Sequence, residues 1–152
     1  MKLIIIFSIF FLFYSCAPAV KFTNKKNSEV PVEIKNPEPE TDISEFNDYS
    51  VIESVTGIAS YYAHDFHGRL TYNEEVYDMY GLTAAHPTYP MHTILRVTNL
   101  SNNKTALIRI NDRMPEHPYR IIDLSYGTAA QLGMVTDGLA DVRLDILKWG
   151  EK

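Results

Sequence analysis

The sequence predicts a mainly β domain, from about residue 51 to 150, closed into a small barrel and carrying one or two short helices. Three features point there. From Val51 onward the chain is made of short β-branched and aromatic runs broken by turns, its last run alternates apolar and polar residues, and only one segment carries clear helix punctuation. Many short strands leave exposed edges unless the sheet closes on itself, so a barrel is the economical arrangement.

Met1-Lys2 followed by the apolar run Leu3 to Tyr14 and then Ser15-Cys16 has the form of an export signal, and the run is short for a bilayer span. Phe13-Tyr14-Ser15-Cys16 resembles the lipobox of bacterial lipoproteins, with bulky residues where the box usually has Leu and a small residue. Residues 1–16 are therefore expected to be a lipoprotein signal peptide and Cys16 the lipidation site, a plain secretory signal being the alternative. Cys16 is the single cysteine of the 152 residues, so no internal disulfide can form. Lipid on it would hold the protein to a membrane, each buried methylene contributing about 0.8 kcal/mol.

Residues 17–50 contain Pro18, Pro31, Pro37 and Pro39 among polar residues, with no sustained period, and read as a disordered tether. As a coil this stretch would span about 30 Å on average and at most about 110 Å.

Val51 to Tyr62 is the first expected strand. Thr93 to Leu100 and Lys104 to Asn111 flank the turn Ser101-Asn102-Asn103 and form a hairpin, Tyr119 to Leu124 is a further strand, and Ala140 to Trp149 is the last. In that last strand Val142, Leu144 and Ile146 are expected inside, with Asp141, Arg143 and Asp145 facing water. The helix is expected over about Tyr126 to Leu132, with Ser125 as its N-cap and Gly133 just beyond its end.

Charge narrows the partners. The net charge is −5, and from Val51 onward nine basic side chains face twelve acidic ones. A nucleic-acid binder needs a basic face, so no nucleic acid is expected. A phosphate-binding loop, a nucleophile elbow and a Cys/His pair are all lacking, which removes support for nucleotide hydrolysis and acyl transfer. His64 and His67 lie near Asp65, but a third ligand at motif spacing is missing, so neither metal nor cofactor is expected.

Four segments form an ordered set of motifs. They are Gly57-Ile58-Ala59-Ser60-Tyr61-Tyr62, then Phe66-His67-Gly68-Arg69-Leu70-Thr71, then Leu82-Thr83-Ala84-Ala85-His86. The fourth runs from Arg96-Val97-Thr98-Asn99-Leu100 through Arg109-Ile110-Asn111-Asp112-Arg113 to Arg120-Ile121-Ile122-Asp123-Leu124-Ser125. Together these segments resemble the rare lipoprotein A family of double-psi β-barrel proteins, related in fold to expansins and some lytic transglycosylases. The resemblance implies a six-stranded barrel and a lytic transglycosylase that cuts the β-1,4 bond between N-acetylmuramic acid and N-acetylglucosamine in peptidoglycan without adding water, leaving 1,6-anhydro ends. The alternative is a non-catalytic peptidoglycan-binding or expansin-like wall-remodelling module. Peptidoglycan glycan strands are the implied partner, a monomer is expected, and the setting implied is the cell envelope, anchored by lipid to the outer membrane and facing the periplasm.

The family's activity residues fall on Glu75, His86 and Asp112. A carboxylic acid suits the chemistry, since the leaving oxygen needs a proton and the attacking hydroxyl must later lose one. Asp112 is expected to be that acid/base and Glu75 to stabilise positive charge or orient the sugar, although the two roles are interchangeable at this level. Without the resemblance, Asp112 would read as a structural carboxylate and Glu75 as a solvated one. Guanidinium groups of Arg109 and Arg113 brought against Asp112 would favour its ionised form and oppose its use as an acid. His86 is expected to position a carboxylate or a sugar hydroxyl. Tyr62, Phe66, His67, Asn111 and Arg113 are expected to contact substrate, with Tyr61, Tyr72, Tyr77 and Tyr89 as further aromatic candidates. Two positions depart from the family pattern, Glu74 and Met114 each standing where relatives usually carry glycine.

Overall fold

The computed structural model describes residues 42–62 and 64–151. The expected signal peptide with Cys16, and the expected tether as far as residue 41, lie outside the described residues.

Six strands form the wall: β1 Glu53–Tyr62, β2 Thr83–Ala85, β3 Ile94–Asn99, β4 Thr105–Asp112, β5 Ile122–Ser125 and β6 Ala140–Lys148. They close in the order β1-β5-β2-β4-β3-β6. The β1/β5 and β2/β4 contacts are parallel, and the other four are antiparallel. Alternation drives this closure. Ala106, Ile108 and Ile110 of β4, Leu95 and Val97 of β3, and Val142, Leu144 and Ile146 of β6 point one way and are fully buried, each large side chain contributing about 1.5–3 kcal/mol.

The β3–β4 hairpin turns as its asparagines dictate. Asn103 adopts a left-handed conformation (φ 58°), which asparagine tolerates, while the Asn99 and Asn102 side chains accept bonds from Ser101 N and Lys104 N. The helix α1, Tyr126–Gln131, begins where Ser125 accepts a bond from Thr128 N (3.2 Å) and ends before Gly133 at φ +67°. Its Ala129, with Leu132 and Met134 beyond it, plugs the barrel core.

Three expectations need correction. The strand placed at Tyr119 begins only at Ile122, because residues 115–121 form an irregular approach with Tyr119 largely exposed. Asp145 does not face water: it is 3% exposed, accepting 2.6 Å from Ser54 Oγ and 2.9 Å from Arg143 Nε. Those bonds outweigh its burial and hold its carboxyl below the usual range. The tether also ends earlier than residue 50. Ile43–Asp48 is a 3-10 turn, capped by Asp42, with Phe46 buried beside Ile94 and Leu147 and Asn47 O bonded to Arg96 Nη2 at 2.7 Å. Ile43 and Phe46 are three apart, so one turn places both on the barrel.

Candidate active site

The C-terminal end of β4 breaks the alternation that built the wall. Ala84 pairs with Ile110, yet Ala85 pairs with Asp112, leaving Asn111 as the extra residue of a β-bulge. Ile110 and Asn111 are consequently both buried, and Asp112 leaves the apolar series. The bulge places three adjacent residues of unlike chemistry at one barrel end.

Over that end lies a lobe between η-turn His64–Phe66 and β2. Its arms are tied by Gly68 N to Tyr77 O (2.9 Å), Tyr77 N to Arg69 O (2.7 Å) and Thr71 N to Glu75 O (2.8 Å). Glu74 sits at the tip with φ 67°, so the chain keeps the left-handed turn that a glycine would make easily and accepts the steric cost. Met114, at the other departure from the family pattern, is buried.

The turn delivers Glu75 to β4. Arg109 grips it with two bonds, Nη1 to Oε1 at 2.8 Å and Nη2 to Oε2 at 2.9 Å, and Asn111 Nδ2 adds a third to Oε2 at 3.1 Å. Burial pushes the Glu75 carboxyl up, but the hydrogen bonds and charge of Arg109, with Asn111, prevail and hold it below its ordinary value. Glu75 is thus a fixed anion.

Asp112 is held differently. Its Oδ1 accepts from Tyr72 N at 2.9 Å and from its neighbour Arg113 N at 2.8 Å, while Oδ2 has no hydrogen-bond partner among the described residues. The arginines do not take the places feared from sequence. Arg109 is committed to Glu75, and Arg113 donates to His86 O at 3.2 Å and lies 5.2 Å over the Tyr72 ring. His86 joins the same end through its main-chain N, 3.2 Å from Asp112 O. Its ring stacks on Tyr89 (3.6 Å, 13°), and burial, helped by the Arg113 charge, lowers its pKa to about 4.

Asn111, Arg113, Glu75, His86 and Asp112 are therefore brought together at this barrel end. Tyr62 lies beneath them, its ring 4.6 Å from Tyr77 and 6.0 Å from Phe66, its hydroxyl buried beside that of Thr83 without a bond of ordinary geometry. Burial and the Asp112 charge raise its pKa, so the phenol stays neutral. Phe66 is half exposed with Arg69 above it. His67 turns to the lobe instead, accepting from Met79 N at 3.1 Å near Asp78.

Sequence reasoning missed the Arg109–Glu75 clamp and the Tyr72 amide. The first had a signal: Arg109 and Asn111 are two apart on a strand, which puts their side chains on one side. The Tyr72 contact is made by backbone and had none. Two hollows, about 320 Å³ beside Ile43 and Arg96 and about 450 Å³ beside Gly57 and Asp141, are lined by neither Glu75, His86 nor Asp112. The carboxylates instead border an open surface, with Tyr72 66% and Val76 63% exposed.

Comparison with known proteins bears on the family and the fold. Residues 54–144 match the double-psi β-barrel family described as "Lytic transglycolase", and the chain belongs to that family. It is 52% identical over 101 residues to an endolytic peptidoglycan transglycosylase RlpA of Campylobacter jejuni, covering 66% of this chain and 37% of that protein. A protein of the same name from Neisseria meningitidis is 40% identical over 133 residues, covering 88% and 53%. The chain thus spans between about a third and a half of the length of these relatives. Among solved structures, Streptomyces papain inhibitor superposes with a TM-score of 0.53 at 20% identity, covering 66% of this chain and 100% of that one. A Clavibacter michiganensis expansin gives 0.53 at 15%, covering 66% and 53%. Both share the barrel fold.

Proposed function

We propose that this domain is a lytic transglycosylase acting on the β-1,4 bond between N-acetylmuramic acid and N-acetylglucosamine in peptidoglycan glycan strands. The observation that carries the reading is the unequal treatment of two carboxylates at one barrel end. Glu75 is clamped by Arg109 and Asn111 and held ionised, whereas Asp112 keeps one oxygen uncommitted. Two carboxyl groups held in different surroundings are the usual basis for dividing acid and electrostatic roles in glycosidic cleavage.

Asp112 Oδ2 then gives its proton to the glycosidic oxygen as the C1–O bond breaks. The fixed negative charge of Glu75 favours the oxocarbenium-like centre or orients its hydroxyls. Asp112, now a carboxylate, takes the proton of the sugar's C6 hydroxyl as that oxygen closes on C1, so the acid is regenerated and the product is a 1,6-anhydro end. An open surface suits a polymer that must lie across the site. Arg113, Asn111, Tyr62 and Phe66 are proposed as the substrate's surroundings, and the contacts of His67 favour a role in shaping the lobe.

Asp112→Asn is expected to abolish anhydro-muropeptide release from purified sacculi, read by mass spectrometry, with the thermal midpoint little changed. Unchanged product yield would remove Asp112 from the mechanism. Glycan binding by the wild type with no anhydro ends would instead favour the non-catalytic, expansin-like reading. We further propose, on sequence alone, lipid on Cys16 and an outer-membrane, periplasm-facing location. Intact-mass measurement of the membrane-extracted protein tests the first and is expected to lose the lipid in Cys16→Ser.

A further inference from the structure

His86 is held so that only one chemistry is open to its ring. Its Nδ1 accepts two backbone N–H groups, from Thr88 at 3.2 Å and Tyr89 at 3.0 Å. A ring nitrogen that accepts cannot carry a proton, so the neutral imidazole must bear its hydrogen on Nε2. That nitrogen has no hydrogen-bond partner among the described residues, and the residue retains 8% exposure. The ring plane is fixed as well. Tyr89 stacks on one face at 3.6 Å, Trp149 meets Tyr89 edge-on at 5.2 Å, and the next residue, Gly150, is tied by its N to Thr93 Oγ1 at 3.1 Å.

We propose that His86 acts as a neutral imidazole of fixed tautomer, its Nε2–H donating a hydrogen bond to a sugar oxygen of the glycan, and that Tyr89 is the positioning residue that holds it there. The proposal rests on the glycan-cleaving reading above. It gives His86 a role that neither proton transfer nor nucleophilic attack supplies. Protonating Nδ1 would set an N–H against two backbone N–H groups. The surrounding charges do not invite it either: Arg113 stands beside the ring and bonds His86 O, Asp112 meets His86 through a main-chain carbonyl, and Glu53 of β1 neighbours Tyr89. A donor that needs no reorganisation when charge develops on a substrate oxygen is worth most where its orientation is already set.

The test has a spectroscopic and a kinetic arm on the full chain. With 15N-histidine, the His86 ring is expected to show a protonated Nε2 and an unprotonated Nδ1 with no titration between about pH 8 and about pH 5. A protonated Nδ1, or a ring titrating near the ordinary histidine value, overturns the proposal. In release of anhydro ends from peptide-free glycan strands, His86→Gln places an amide N–H at the reach of Nε2, whereas His86→Asn places it at Nδ1. The glutamine variant is expected to be at least about tenfold the more active, and His86→Asn to lose about 100-fold against wild type. Tyr89→Leu is expected to lower kcat more than it raises KM and to broaden the ring signals, and the conservative Tyr89→Phe, which keeps the stack, is expected to rescue the sharp ring signals and most of the kcat that Tyr89→Leu loses. Equal activity of the two His86 variants, or a Tyr89→Leu protein with wild-type kcat, defeats the donor role. A wild type that releases no anhydro ends defeats the cleavage reading itself, so the two failures are distinguishable.

Discussion

The barrel uses a β-bulge twice, and the two are filled with opposite chemistry. In β6 the register skips Leu147 between Leu95–Ile146 and Ile94–Lys148, and the displaced leucine, 2% exposed, packs under Phe46 of the Ile43–Asp48 turn. In β4 the register skips Asn111, and the displaced amide reaches Glu75 in the lobe. The same backbone device therefore fastens two different segments to the wall, one by apolar contact and one by polar bonds. The apolar filling brings no side-chain polar group that would need a partner. The polar one leaves Asn111 Oδ1 buried without a partner among the described residues, a cost borne where direction matters more than stability.

Removing each filling separates the two roles. Leu147→Ala is expected to cost about 2–3 kcal/mol in chemical denaturation, the lower part of the range for buried leucine because its cluster is a satellite of the main core. Activity per folded molecule is expected to be unchanged. Asn111→Ala is expected to do the reverse, costing about 1 kcal/mol or less while the anhydro-product rate falls about 10–100-fold as Glu75 loses one of its three bonds. Similar rates in both variants would erase the distinction.

Acid sharpens it further, with a sign that can be worked out. The folded pKa of His86 is depressed, so its contribution to stability is present above its unfolded value of 6.5 and is lost as pH falls through about 4. Glu75 is also depressed, so its contribution is present above 4.5 and is lost only below it. His86→Gln is expected to flatten the first part of the thermal-midpoint curve, and Arg109→Met the second, whereas Leu147→Ala shifts the whole curve without changing its shape. The smallest effect belongs to the tip of the lobe. Glu74→Gly is expected to raise stability by no more than about 1 kcal/mol, since relief of the left-handed strain is partly offset by the entropy of glycine.

Much of the wall was legible because strand alternation is a local property. Val142, Leu144 and Ile146 announced the inner face of β6, the asparagine turn announced the β3–β4 hairpin, and Ser125 with Gly133 bracketed α1 to within a residue. Asp145 escaped that logic because the bond from Ser54, ninety-one positions away, compensates a burial that alternation alone assigns to water. Phe46 escaped because a one-turn anchor is too short to show a period amid polar residues.

The inner faces of the longer strands and the kind of chemistry available at the site are thus written along the chain, since spacing, turn residues and the presence of Glu75, His86 and Asp112 need no folded partner to be read; the three-residue β2 and the order in which the strands close are not. Which carboxylate a guanidinium clamps, which oxygen of Asp112 stays open and which nitrogen of His86 carries its hydrogen were decided only on folding. Each of those depends on groups distant in sequence, Arg109 for Glu75 and the Tyr72 amide for Asp112, or on backbone N–H directions around His86 that no side-chain pattern encodes.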